Sequence, residues 1–137
     1  MTITTDVKAA ATAFLAAFDA LDWEPFAACF ALDATIFMPF PDVIQRLDGW
    51  EAAAAVFQPF FAKIRQMRSA PPYLDLQPRD LHIQPINNNA AIVTFHLYDG
   101  VTWSRRTAVF EKRNDRWLIV HLHASNVRVH ASNVRET

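Results

Sequence analysis

At 137 residues the chain suits one domain around one core and is too short for two ordinary ones. Hydrophobic residues make up 52%, with 11 Phe and 4 Trp, and the formal net charge is -1, so there is ample apolar surface to bury. Lys and Arg are scattered, which argues against nucleic acid as a partner, because phosphate binding needs a concentrated basic face. Cys29 is the single cysteine, so an internal disulfide is excluded and a reducing, cytoplasmic setting is expected. No run approaches the roughly eighteen apolar residues of a membrane span. The N-terminus lacks the basic start and apolar stretch of a signal peptide.

In chain order, Thr4-Thr5-Asp6 offers capping side chains before a helix expected over Val7–Leu21. There Val7, Ala11, Phe14 and Phe18 recur at helical spacing with Leu15 alongside. Asp22 caps a second, short helix expected to reach about Ala31, with Pro25 in its first turn, where a missing N–H costs little. Asp33-Ala-Thr-Ile-Phe-Met-Pro39 reads as a strand ended by Pro39 and Pro41. Gly49 precedes a third helix from Trp50 to about Met67, with Trp50, Ala53, Ala54, Phe57, Phe61 and Ile64 close to one face. Ser69-Ala-Pro-Pro72 breaks that pattern into a loop. After Tyr73 the apolar residues alternate, and Asn87-Asn-Asn89, Asp99-Gly100 and Asn114-Asp115 are turn signals. They divide the rest into four antiparallel strands, 74–86, 90–98, 101–112 and 117–127.

Three helices followed by a curved, mainly antiparallel sheet is an α+β order, and it excludes a βαβ nucleotide-binding fold. Two glycines leave no room for a phosphate-cradling loop. His123-Ala-Ser-Asn-Val-Arg128 recurs seven residues on as His130-Ala-Ser-Asn-Val-Arg135. An odd shift would reverse every side chain if the strand simply continued, so 128–137 is expected to be a tail.

The order of elements, the Asp33-Ala-Thr segment, Gly49 opening a helix and the closing strand Trp117-Leu-Ile-Val-His-Leu-His-Ala-Ser125 together resemble the SnoaL-like branch of the NTF2-like superfamily. The likeness covers residues 5–127. The closing strand is also similar to that of the calmodulin-dependent kinase association domain, an assembly module. The resemblance implies one cone-shaped α+β domain over 1–137, with three N-terminal helices packed on the sheet around a pocket. Ketosteroid isomerase shares this fold, and its catalytic groups can be followed residue by residue. Its enolate-binding tyrosine becomes Phe14, its carboxylate base Met38, its supporting tyrosines Phe30 and Phe57, and its protonated acid Thr107. A base must accept a proton and an oxyanion hole must donate hydrogen bonds. Methionine cannot do the first and phenylalanine cannot do the second, so steroid-isomerase chemistry is not expected.

His121 and His123, two apart on a strand, share one face with Trp117, Ile119 and Ser125. A His-x-His pair needs a third ligand to hold zinc or iron, and none is suitably spaced, so no metal and no cofactor is expected. In the isomerase match Val120, Leu122 and Ala124 line the pocket, which turns Trp117, His121 and His123 outward to a dimer interface. A bulge in the last hairpin would reverse that assignment. A two-residue turn at Asn114-Asp115 sets Leu122 opposite Thr107 and Ala124 opposite Arg105. A similar count through Asp99-Gly100 sets Trp103 against His96 and Arg105 against Thr94. The expected pocket is therefore lined by Phe14, Phe18, Phe30, Met38, Phe57, Phe61, His96, Trp103, Arg105, Thr107, Leu122 and Ala124, with Tyr98 at the rim. Arg105 could clamp a carboxylate, or could pair with Asp80, Asp99 or Glu111. Asp42 and Asp48 flank the 39–49 loop as turn formers or general bases. Cys29, amid Ala and Phe, reads as an inert buried thiol.

Three functions fit these residues. The first is a homodimeric domain binding a small hydrophobic molecule, with or without an acidic group, in an apolar pocket. The second is a cyclase, hydratase or isomerase with His96, Tyr98 or Asp42 as acid or base. The third is a non-catalytic assembly module.

Overall fold

The computed structural model describes residues 2–128. Helix α1 spans Ile3–Asp19, and its N-cap is Thr2, whose hydroxyl accepts from the Thr5 N–H at 3.1 Å. It begins ahead of the expected Val7 start because Thr2 takes the cap in place of Thr4, Thr5 or Asp6. The predicted stripe is the buried one, with Val7, Ala11, Phe14, Ala17 and Phe18 facing the core. Helix α2, Trp23–Ala28, stops short of Ala31, because Phe30 already pairs with Ile119 in the sheet and the Ile119 N–H donates to the Cys29 carbonyl at 2.8 Å. Strand β1 is Phe30–Phe37, and the short β2, Leu47–Asp48, folds back on it. Gly49 (φ 92, ψ 154) stands at the N-cap of α3, Trp50–Met67, in a conformation that disfavours any Cβ.

Strands β3 (Arg79–Asn87), β4 (Ala90–Tyr98), β5 (Thr102–Arg113) and β6 (Arg116–Arg128) complete one six-stranded sheet of order β2-β1-β6-β5-β4-β3. All pairings are antiparallel except β1 with β6, which is parallel. The α+β architecture read from the sequence is the one observed. Residues 74–78, expected to open β3, are loop. The first HASNVR copy forms the end of β6, so Arg128 is strand rather than tail, and the second copy lies outside the described residues.

The helices cover one face of the sheet. Against them lie Ala91, Val93 and Phe95 of β4, Ala108 and Phe110 of β5, and Ile119 and Leu122 of β6, all buried. Phe26, wholly buried on α2, stands at the centre of an aromatic cluster, with ring centroids 4.9 Å from both Phe57 and Phe61. Phe14, Phe18, Phe30, Met38, Phe57 and Phe61, expected to wall a pocket, pack in this core instead, because the phenyl rings fill the cone against one another.

Two register differences decide which side chains face inward. Asn114 and Asp115 (φ 51 and 63) form the expected two-residue turn, and pairing runs regularly from Arg113–Arg116 to Phe110–Ile119. The next pair is Val109–His121, so Val120 is an extra residue on β6, a β-bulge. Beyond it Leu122 faces Ala108 rather than Thr107, and Ala124 faces Arg106 rather than Arg105. The β4–β5 turn is also longer than Asp99-Gly100, pairing Tyr98 with Trp103 and His96 with Arg105. Parity on β4 and β5 is kept, but the face shared by Thr94, His96, Trp103, Arg105 and Thr107 is the one carrying His121, His123 and Ser125. It points away from the helices. Trp117 departs in the opposite sense: it lies before the bulge, shares its face with Ile119 and packs against the core rather than beside the histidines.

Candidate functional site

The aromatic core fills the part of the cone lying under the helices. Toward the other end a cavity of about 690 Å³ stays open, a size usual for small organic ligands. The loop after α3, the β4–β5 turn and the inner faces of β4, β5 and β6 enclose it. The loop wall is anchored to the end of α1. The Tyr73 N–H donates to the Asp19 carbonyl at 2.9 Å and the Leu76 N–H to the Asp19 carboxylate at 3.1 Å. Arg65 donates to the Leu21 carbonyl at 2.6 Å and lies over the Tyr73 ring at 5.3 Å.

On the sheet side the inward residues near the opening are Leu97, Ser104, Arg106 and Asn126. Arg106 is paired across the sheet with Phe95 and Ala124. Ala124, and Ala108 two residues along β5, leave its long side chain room. Its Nε donates to the Ser104 hydroxyl at 2.7 Å, and Ser104 is a buried polar residue. Burial pushes the Arg106 pKa well below the ordinary arginine value, down to about 10, which leaves it a cation at neutral pH. Among the described residues no carboxylate pairs with it; the ion pairs there are Arg46–Asp48, Arg113–Asp33 and Arg113–Glu111.

The mouth carries Arg68, Arg79, Asp75 and Asp99. Asp99 accepts from the Val101 and Thr102 N–H groups at 2.9 and 2.8 Å, and those bonds hold its pKa below the usual carboxylate value. Tyr98 lines the rim, stacked on Trp103 with centroids 4.8 Å apart, and Arg79 lies over both rings at 5.2 and 5.8 Å.

Of the residues singled out from sequence, Tyr98 borders the cavity, and Leu122 and Ala124 lie on the inner face. Arg105 is exposed on the outer face, where its Nε donates to the Ser125 hydroxyl at 3.2 Å. His96 packs edge-on to Trp103 on that same face, at 5.4 Å. Thr107 pairs with His123 there, and Asp42 sits exposed in the loop after β1. Cys29 is half-buried; burial raises its thiol pKa, which makes it a poor nucleophile. Among the described residues no three His, Cys, Asp or Glu side chains gather as a metal site would require. The residues missed were Ser104, Arg106 and Asn126. One signal was present: with Arg105 and Arg106 adjacent on a strand, either register points one of them inward.

On the outer face Thr35 and His121 share a 2.7 Å hydrogen bond, while Phe37 lies 5.1 Å from His123. Burial, then the charge of His123, lowers the His121 pKa; the Thr35 hydrogen bond opposes this and Arg46 adds to it. A histidine with a depressed folded-state pKa resists protonation, so unfolded chains take up the proton first as pH falls below about 6.5. Melting temperature should therefore fall between about pH 6.5 and the lower folded value, and His121→Asn should flatten that slope. Thermal denaturation followed from about pH 8 to about pH 5 measures it; an unchanged slope in the variant would place the titration elsewhere.

No helix is long and apolar enough to cross a membrane among the described residues. No curated protein matches the chain. Among solved structures, the hub homology domain of CaMKII from Chlamydomonas reinhardtii is similar, with TM-score 0.69 and 24% identity over 93% of this chain and 100% of that one. A candidate dehydratase of the NTF2-like family from Streptomyces avermitilis aligns with TM-score 0.73 and 18% identity, covering 90% and 95%. A protein with a cystatin-like fold from Caulobacter vibrioides gives TM-score 0.73 and 18% identity, covering 95% and 93%. At these identities the likeness is one of fold, and the fold is the helix-covered cone described above. The family model that matches is the SnoaL-like domain, over residues 7–129, and the chain belongs to that family.

Proposed function

We propose that this SnoaL-like domain binds a small molecule through an anionic group seated on Arg106, with the carbon skeleton against Leu74, Leu76 and Leu97. The observation that carries this reading is a desolvated guanidinium beside an open cavity whose one hydrogen-bond partner among the described residues is the Ser104 hydroxyl. Burying a cation is unfavourable unless something compensates it, and a planar fork of N–H donors is matched to a carboxylate. The role expected for Arg105 thus passes to its neighbour. An acid–base enzyme finds less support: His96 faces outward and Asp42 is exposed, which leaves Tyr98 as the one candidate beside the cavity.

The test is a thermal-shift screen of carboxylates against neutral compounds of the same skeleton, since a ligand that binds only the folded state raises its melting temperature. Carboxylates should stabilise the native protein and leave Arg106→Met unmoved. Equal shifts in both proteins would refute the Arg106 reading.

A second reading is self-association through the outer sheet face, supported by the likeness in fold to two solved structures named as CaMKII association domains. Among the described residues no helix covers that face, and Phe37, His123 and Trp103 lie on it half-buried or exposed. Mass in solution tests it: a dimer is expected, and Thr107→Arg, at the centre of the face, should yield a monomer. A wild-type monomer would sink the idea.

A further inference from the structure

Building on the reading of Arg106 as an anion anchor, we propose that the cavity's ligand carries two carboxylates, one at each end of a short apolar segment. The cavity is cationic at two depths. Arg106 is the inner cation, far enough from solvent that burial depresses its pKa. Arg68, just past the end of α3, and Arg79, at the start of β3, are exposed and border the same cavity. Leu74, Leu76 and Leu97 supply its apolar lining. A monoanion satisfies the inner arginine and leaves the outer pair in water; a ligand with a second carboxylate engages both levels.

Asp75 and Asp99 also border the mouth, and they raise the opposite possibility of a ligand with an anionic head and a cationic tail. The hydrogen bonds disfavour it. Asp99 is occupied by two backbone N–H groups, and Asp75 accepts from the Gln77 amide at 3.5 Å. Neither pairs with Arg68 or Arg79. Arg79 borders the cavity from the outer side of its rim, where its guanidinium rests on the faces of Tyr98 and Trp103, and a guanidinium stacked on rings keeps its N–H edge free for a bidentate carboxylate. Stacking also fixes the side chain in advance, so less rotamer entropy is lost on binding.

The experiment is isothermal titration calorimetry on the whole chain with three series matched in length: dicarboxylates from succinate to suberate, the straight-chain monocarboxylates, and the ω-amino acids. One dicarboxylate length should bind about tenfold more tightly than its monocarboxylate, the gain expected of one further charge-assisted contact. The double variant Arg68→Gln/Arg79→Gln should bring that dicarboxylate down to the monocarboxylate's affinity and leave the monocarboxylate unchanged. Both positions are exposed, so the variant keeps its fold, and retained monocarboxylate binding confirms it. Equal affinities for mono- and dicarboxylates would overturn the two-anion ligand while leaving Arg106 as an anchor. Tightest binding by an ω-amino acid would overturn it in favour of Asp75 or Asp99. No binding in any series would overturn both this inference and the reading of Arg106 beneath it.

Discussion

Phe26→Ala is expected to lower stability by about 3–5 kcal/mol, the range for emptying a phenylalanine site in a packed core. Against a total of roughly 5–15 kcal/mol for a small domain, that is enough to leave much of the chain unfolded at physiological temperature. The reason lies in what surrounds the ring. Phe26 is wholly buried, within 6.1 Å centroid to centroid of Phe14, Phe18, Phe30, Phe57, Phe61, Trp23 and Trp50. Stiff aromatic neighbours held by four separate elements cannot collapse into the vacated space. Helix α2, six residues long, is far below the length at which a helix persists alone. Phe26 is its one fully buried residue, with Trp23 packed beside it on Trp50 and Phe61. Urea unfolding followed by tryptophan fluorescence would measure the loss; a change below about 1 kcal/mol would show that the cluster relaxes far more easily than its packing implies.

Arg106→Met should act in the other direction on the ligand-free protein. A guanidinium whose pKa burial pushes down to about 10 is disfavoured as a buried cation by on the order of 3 kcal/mol. The sign is fixed by the direction: this cost is present throughout neutral pH and is relieved only as pH rises through about 10. Methionine removes it at similar volume, while the Ser104 hydroxyl loses its partner at a cost of about 1 kcal/mol. The expected net gain is about 1–2 kcal/mol, or several degrees in melting temperature for a domain of this size. Loss of stability by a similar amount would mean that Arg106 is already compensated, and the case for an incoming anion would weaken with it. A residue that destabilises the empty protein is a mark of a functional site.

The fold was legible because its signals are local. The stripe of Val7, Ala11, Phe14 and Phe18, the Gly49–Trp50 helix start and the Asn114-Asp115 turn each depend on a few neighbouring residues. The face assignments were not legible, because facing in a sheet is cumulative: each residue inherits its side from every pairing since the turn. Val120 carries no sequence mark of a bulge, and Asp99-Gly100 looks like a two-residue turn although the observed one is longer. Counting therefore put Arg105 inside and Arg106 outside. The phenylalanines were misplaced for a different reason. A sequence states that Phe14, Phe30 and Phe57 face the cone but not whether the cone is empty there, and rings at 5.7 to 6.0 Å from one another leave it full.

The bulge at Val120 makes the chemistry of this protein depend on the length of one strand rather than on the identity of any side chain in it. Removing that single residue would exchange the two faces of β6 beyond it. His121 and His123 would turn toward the helices, and Leu122 and Ala124 would be delivered to solvent. For a family built on this frame, a one-residue insertion or deletion in the last strand is thus a coarser lever than substitution: in a single step it can set imidazoles beside the arginine that β5 keeps in place.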